Sequence, residues 1–451
     1  MSIRTFIEQK IIYFYYSLLE NAGFIMLNII FDATLITNVF KKDAARSGIF
    51  FVAQNLLDEL LSRNDLNVSL YFSPEYYANG VRVFRELYPN ANYAQNMSSY
   101  KLLCDVNLKF WQIHGMLYHR TLLRKPFALG IVLTQRLLSF LAKRKIDRFK
   151  FQTADVFLSP AYRIPDVVRE FSNIRSFLVL HDTIPFKFPT YNDIGWSHYL
   201  REIMRTGRKG DSFFCDSKCT QRDFIELYPL VTEGSSKVVP LAANESFSEK
   251  KDSVLLAGVK KKYGIPYEKK YVFSLCTLEP RKNLIRAIKS YVNFCKKNDI
   301  RDLVWVLGGG HWDNFIGKLK RELDWLDDGL KMIIRAGYVD DEDLSVLYSN
   351  AEWFVYTSQY EGFGLPPLEA MQCGCPVITS NNSSLPEVVG DAGIMIDWDS
   401  DEQHVAAYEK YYFNENLRKE NSRKGLERAK LFSWEKTVEQ MVRVMKENMR
   451  T

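Results

Sequence analysis

Residues 358–390 read SQYEGFGLPPLEAMQCGCPVITSNNSSLPEVVG, and this stretch decides the fold. It follows the apolar triplet Phe354–Tyr356 and precedes a second apolar run, Val377–Thr379. Between them, Pro367–Gln372 reads as the start of a helix. Pro367 suits a first helical turn, and Gly374 suits a helix stop. Gly362 and Gly364 let the backbone approach a ligand closely, and the free amides of a helix start favour anions. A strand–turn–helix–strand unit of this kind belongs to a parallel sheet. Ligands bind there at the carboxyl ends of the strands.

Working outward, short apolar runs rich in β-branched and aromatic residues recur along the chain. They fall at 25–31, 68–72, 155–158, 177–180, 213–215 and 237–239, then at 272–275, 303–307, 332–334, 354–356, 377–379 and 393–396. Continuous apolar strands alternating with helices indicate parallel sheets covered on both faces. At 451 residues the chain exceeds one ordinary core, so two such series imply two domains. The expected fold class is α/β, with two Rossmann-like domains facing across a cleft and a C-terminal helix crossing back. The expected boundaries are 1–241, a charged linker at 242–268, a second domain at 269–430 and a final helix at 431–451. Ser433 reads as the cap of that helix, with Trp434, Val438, Met441, Val442 and Met445 on one stripe.

Composition narrows the class. Apolar residues make up 47% and charged residues 25%, values typical of a globular protein. The seven cysteines are scattered without zinc-ligand spacing and read as reduced thiols of a cytosolic chain, with no metal. The apolar run from Ile11 is interrupted at Glu20, well short of the ~20 residues that span a bilayer.

Three further clusters carry chemistry. In LCTLEPRKN, 275–283, Arg281 and Lys282 follow a strand; such cations either grip a diphosphate or form a solvated pair. Held against a departing diphosphate, they would stabilise it without a metal. LGGGH, 307–311, is a glycine turn after another strand. In LVLHDTIPF, 178–186, His181 ends a strand and is either a group facing a reacting hydroxyl or a structural histidine. Within the opening stretch, Glu369 reads either as an acceptor for ribose hydroxyls or as a helix-turn acid, and Glu361 is placed to face a sugar.

Together these residues resemble the retaining glycosyltransferases of family 4, which have the GT-B fold. The resemblance rests on EGFGLPPLEAMQCGCPVITSNNSSLPEVVGDAGIMID (361–397), a Glu-x7-Glu element, and on TLEPRKN (277–283). GYVDDEDLSVLYSNAEWFVYTS (337–358) and FSWEKT (432–437) add to it, and HDTIPF and CDSKCTQRDF match more loosely. The resemblance implies that Arg281 and Lys282 hold the donor diphosphate over a loop containing Gly48. It implies that Glu369 binds the ribose, and that Glu361 and the Gly362–Phe363–Gly364–Leu365 backbone meet the donor sugar. His181 would face the reacting centre, and no cofactor or metal is required.

HDTIPF with TLEPRKN resembles most the mannosyltransferase branch of O-antigen and capsule synthesis. The resemblance therefore implies transfer from GDP-mannose to a lipid-linked glycan; another UDP-, dTDP- or GDP-sugar is the alternative. An epimerase or hydrolase of the same fold and a non-catalytic scaffold are the other readings. Relatives carry Pro-Ser before the first glutamate, where this chain has Thr357-Ser358.

The family pattern leaves an insertion, about 79–155, unexplained. Within it, RTLLRKPFALGIVLTQRLLSFLAKRKIDRFKF (120–151) carries nine Lys/Arg and one Asp among many leucines. It reads either as a basic amphipathic helix on the inner face of the cytoplasmic membrane or as a helix with its leucines in the first domain's core. Nothing in it is organised as a nucleic-acid reader.

Overall fold

The computed structural model describes residues 26–40, 48–95, 100–116, 121–142, 144–189, 194–310 and 329–449, together with 315, 317, 319 and 321. The beginning of the N-terminal apolar run and His311 lie outside them. Thirteen strands are present among the described residues. The first sheet contains β1 (Leu27–Asp32), β2 (Leu66–Tyr71), β3 (Asn92–Tyr93), β4 (Val156–Ser159), β5 (Arg175–Leu180), β6 (Ser212–Cys215) and β7 (Ser236–Val238). Its order is β3-β2-β1-β4-β5-β6-β7. The second contains β8 (Lys270–Leu275), β9 (Leu303–Gly308), β10 (Ile333–Gly337), β11 (Phe354–Tyr356), β12 (Val377–Ser380) and β13 (Gly393–Ile396), in the order β10-β9-β8-β11-β12-β13. The paired registers are parallel, as continuous apolar strands require. All twelve expected strands form. β3, only two residues long and inside the insertion, was not expected.

The second sheet's core explains its aromatic sequence. Trp305 and Trp353 are fully buried with Tyr291, Tyr408 and Tyr411. Trp305 and Tyr291 meet edge-on with ring centroids 5.1 Å apart, and the Trp305 indole donates to Ser274 Oγ at 3.2 Å. In the last helix, Trp434–Met449, the Lys436 amide donates to Ser433 Oγ, and all five stripe residues are buried.

The chain forms two compact units that differ from the boundaries drawn from composition. One comprises Met1–Val179, Glu202–Phe213 and Val438–Thr451; the other comprises Leu180–Arg201 and Phe214–Thr437. Residues 180–201 and 214–241, expected in the first domain, fall in the second unit, although β7 and the end of β6 belong to the first sheet. The cause is local. The hydroxyls of Ser217 and Thr220 donate to the Gly362 carbonyl at 2.6 and 3.1 Å, and the Lys218 and Cys219 amides donate to the Glu387 carboxylate, each at 2.8 Å.

Candidate active site

The site is built where β5, β6, β8 and β11 end. After β8 the chain makes a short 3₁₀ turn, Pro280–Lys282, and Asn283 adopts a left-handed conformation (φ 57°) before the helix Leu284–Lys297. This turn buries the side chains of Arg281 and Lys282. Buried cations require partners. Lys282 Nζ donates to Glu361 Oε1 at 2.6 Å and to the Tyr356 hydroxyl at 2.7 Å. Arg281 Nη1 lies 3.0 Å from the same Glu361 oxygen, also donates to the Tyr360 carbonyl, and its Nη2 reaches Glu279 Oε1 at 2.6 Å.

Glu361 is thus held by two cations at once. Burial acts to raise its pKa, but Arg281 and Lys282 outweigh it and hold the carboxyl at about 2. The Glu361 amide donates to Ser383 Oγ at 3.0 Å, fixing the turn that carries it.

Gly362 is the next link. A Cβ there would lie 2.1 Å from the His181 carbonyl oxygen, so only glycine permits the Glu361 turn to touch the end of β5. Gly364, at φ 113°, then caps the helix Leu365–Gln372. Phe363 is buried with its ring centroid 6.0 Å from that of Phe432, and Leu365 is half-buried at the helix start.

His181 follows β5, with its Nδ1 3.7 Å from Asp216 Oδ2. Asp216 is buried, and its other oxygen, Oδ1, has no hydrogen-bond partner among the described residues. Burial raises its pKa to about 6, against the lowering influence of His181. Asp182 is also pushed up by burial, with Arg281 opposing, and its Oδ1 accepts from the Ile184 amide at 2.9 Å.

Glu369 faces other surroundings. Burial raises its pKa to about 7, with Asp341 adding to the rise. The Tyr348 hydroxyl, which donates to Oε2 at 2.9 Å, opposes the rise. Glu369 lies in the first two turns of the helix Leu365–Gln372, where a half-buried carboxylate can accept hydrogen bonds from hydroxyl groups.

Of the residues singled out in the sequence, Arg281, Lys282, Glu361, Gly362 and His181 are brought together. Phe363, Gly364, Leu365 and Glu369 follow on the same turn and helix. Gly48 is exposed at the start of the helix Gly48–Ser62, which belongs to the other unit. Gly309 and Gly310 follow β9, and a Cβ at Gly309 would collide with the Cys276 carbonyl, so this glycine turn is a packing feature of the loop carrying Arg281. Thr357, in place of the usual proline, is buried with its hydroxyl 3.3 Å from Nε2 of His404.

Sequence reasoning missed Tyr356, Asp216 and Tyr348. Tyr356 reads as a core strand residue, and Asp216 lies unremarked inside CDSKC. A polar side chain at a strand's carboxyl end was the signal available for both. Among the described residues no group of three or more His, Cys, Asp or Glu is placed to hold a metal ion.

The arrangement is a pair of buried cations, one counter-carboxylate and a helix start at the ends of parallel strands. It is suited to an anionic ligand bearing hydroxyl groups. Residues 258–428 match the family described as glycosyl transferases, group 1. An O-antigen chain mannosyltransferase of Escherichia coli is 31% identical over 276 residues, covering 60% of this chain and 70% of that protein. A serotype-specific mannosyltransferase, also of Escherichia coli, is 27% identical over 58% of this chain, which spans only 32% of that longer protein. The crystal structure of a glycosyltransferase from Rickettsia africae superposes with a TM-score of 0.61 at 14% identity, over 94% of this chain and 99% of that one. The fold is that of the GT-B glycosyltransferases. The chain belongs to the group 1 glycosyltransferases.

Proposed function

We propose that this enzyme is a retaining, metal-independent mannosyltransferase of bacterial cell-surface polysaccharide synthesis. It takes GDP-mannose as donor and a hydroxyl of a growing, lipid-linked glycan as acceptor, and works at the cytoplasmic face of the membrane. The observation that carries the reading is the convergence of Arg281 and Lys282 on one oxygen of Glu361. Diphosphate oxygens compete with that carboxylate for the same donors, so the two cations pass from Glu361 to the leaving group as charge develops on it. The names of the Escherichia coli relatives support mannose and an O-antigen acceptor.

In the reaction the bond between the sugar's anomeric carbon and the diphosphate oxygen breaks. A bond from the acceptor oxygen forms on the same face, and the acceptor's proton goes to the departing diphosphate. Arg281 and Lys282 neutralise the leaving group, and a helix start complements them. Glu369 accepts from the donor ribose. His181, backed by Asp216, lines the reacting face, and the Gly362–Leu365 backbone meets the sugar.

The test is incubation of the purified protein with GDP-mannose, a lipid-linked acceptor and a chelator. The expected product carries an α-linked mannose, read from the anomeric carbon–hydrogen coupling. A β-linked product, loss of transfer on chelation, or transfer only from a UDP- or dTDP-sugar overturns the corresponding part. Donor breakdown without transfer across a broad acceptor panel points to a hydrolase instead.

A further inference from the structure

Within the insertion two helices, Lys101–Met116 and Thr121–Ala142, pack together. Described side chains on their facing sides meet. Phe110 and Phe127 meet with ring centroids 6.3 Å apart, and Asn107 Nδ2 donates to Thr134 Oγ1 at 2.5 Å. Ile131 and Leu138 are buried, and Cys104 Sγ donates to the Pro74 carbonyl at 3.4 Å.

The outer face of Thr121–Ala142 is also apolar. Leu129, Leu133, Leu137 and Phe140 are 60%, 56%, 47% and 57% exposed, and Val132 lies among them. Positions 129, 133, 136, 137 and 140 follow helical spacing, so these side chains form one stripe. Arg136 is exposed within the stripe. The Arg144 guanidinium lies 5.0 Å from the Phe140 ring centroid, and Lys145 lies over Tyr100 at 5.6 Å. Lys125 is exposed towards the other end. The sequence of Thr121–Ala142 contains no Asp or Glu. The core reading of these leucines therefore fails for four of the largest apolar residues on this helix.

We infer that this outer stripe is a docking surface for an anionic phospholipid bilayer. An apolar ridge with cations set into it and flanking it matches the interface of such a bilayer, where acyl chains lie beneath phosphate groups. Charge selects this occupant over a second copy of the chain, since two copies would oppose Arg136 and its neighbours with like charge. It also selects lipid over nucleic acid, because the ridge offers leucines rather than a platform of stacking rings. The surface sits on the helix, and among the described residues no helix is long and apolar enough to cross a membrane.

The experiment is sedimentation of the full chain with vesicles of phosphatidylcholine alone or with phosphatidylglycerol added, at low and high salt. Binding to the anionic vesicles, weakened by salt, is expected. Arg136→Glu should weaken it about tenfold, and Leu133→Ser with Leu137→Ser by about tenfold or more. These exposed substitutions should leave thermal unfolding and transfer to a water-soluble acceptor unchanged, which separates failure of the surface from failure of the proposed reaction. Equal binding to both vesicle types, or binding that both variants retain, overturns the inference. Absence of vesicle binding with concentration-dependent dimerisation abolished by the leucine variant assigns the face to a second copy and overturns it equally.

Discussion

Glu361 and Glu369 sit eight positions apart on one turn and helix, yet their surroundings oppose each other. Glu361 is gripped by Arg281 and Lys282 and is held at about 2, despite burial that acts in the other direction. Glu369 has one tyrosine hydroxyl to set against burial and rises to about 7. The first is a permanent anion that organises two cations. The second changes charge near neutrality and, among the described residues, is held by a hydrogen bond from the Tyr348 hydroxyl. Two copies of one residue type in one short element therefore do different work, and the difference lies in residues far away in sequence.

Glu361→Gln should have the largest effect, because it leaves two buried cations short of their shared partner. A loss of about 3 kcal/mol of stability at neutral pH is expected, with transfer near background. The pH dependence has a definite sign. The folded-state pKa of Glu361 is depressed from 4.5 to about 2, so its contribution is present above 4.5 and is lost as pH falls towards 2. Thermal unfolding of wild type and variant should converge in that window. A constant gap down to the acid limit would break the comparison.

Gly362→Ala comes next. Its Cβ would meet the His181 carbonyl at 2.1 Å, so either the Glu361 turn or the end of β5 must shift. Transfer should fall by about a hundredfold, as displacements near 1 Å at a reacting centre do. Unchanged kcat/KM would detach His181 from the reaction.

For Glu369→Gln the sign reverses. The folded pKa is raised, so the stabilising contribution is full below 4.5 and is lost as pH climbs through about 7. The variant should be more stable than wild type at pH 8 by about 1–2 kcal/mol, once partial exposure is allowed for, and equal to it near pH 4. Donor affinity should fall about tenfold through a lost charged acceptor. Lower stability of the variant at pH 8 would show that Glu369 is not desolvated.

Tyr348→Phe should be smallest, at about 1 kcal/mol. It removes the hydroxyl that donates to Glu369 Oε2, so the titration of Glu369, followed by NMR, should move higher still.

Much of this was legible in the chain. Twelve apolar runs marked twelve strands, because a strand covered on both faces leaves a continuous signal. Arg281, Lys282, Glu361 and Glu369 stood out because charge beside proline and glycine after a strand has few structural uses. What stayed hidden was pairing. Lys282 meets Glu361 across 79 positions, and no local code announces which acid a buried cation will find. Tyr356 hid as a core residue because a strand's last side chain looks like its others. The grouping of 214–241 with the second unit stayed hidden too, because the Ser217 and Thr220 hydroxyls donate to the Gly362 carbonyl, an attachment that composition does not register. Gly48 was placed beside the phosphates by resemblance alone, with no charge or turn signal of its own.

The most direct measurement is calorimetric titration of GDP into the wild-type chain and into Lys282→Ala, both in chelator and both first verified as folded by thermal unfolding. Lys282 supplies a buried, charged donor that Arg281 alone cannot replace, so the wild type should bind and the variant should bind about a hundredfold more weakly. Equal affinity in the two proteins would contradict the assignment of the diphosphate to the Arg281–Lys282 pair.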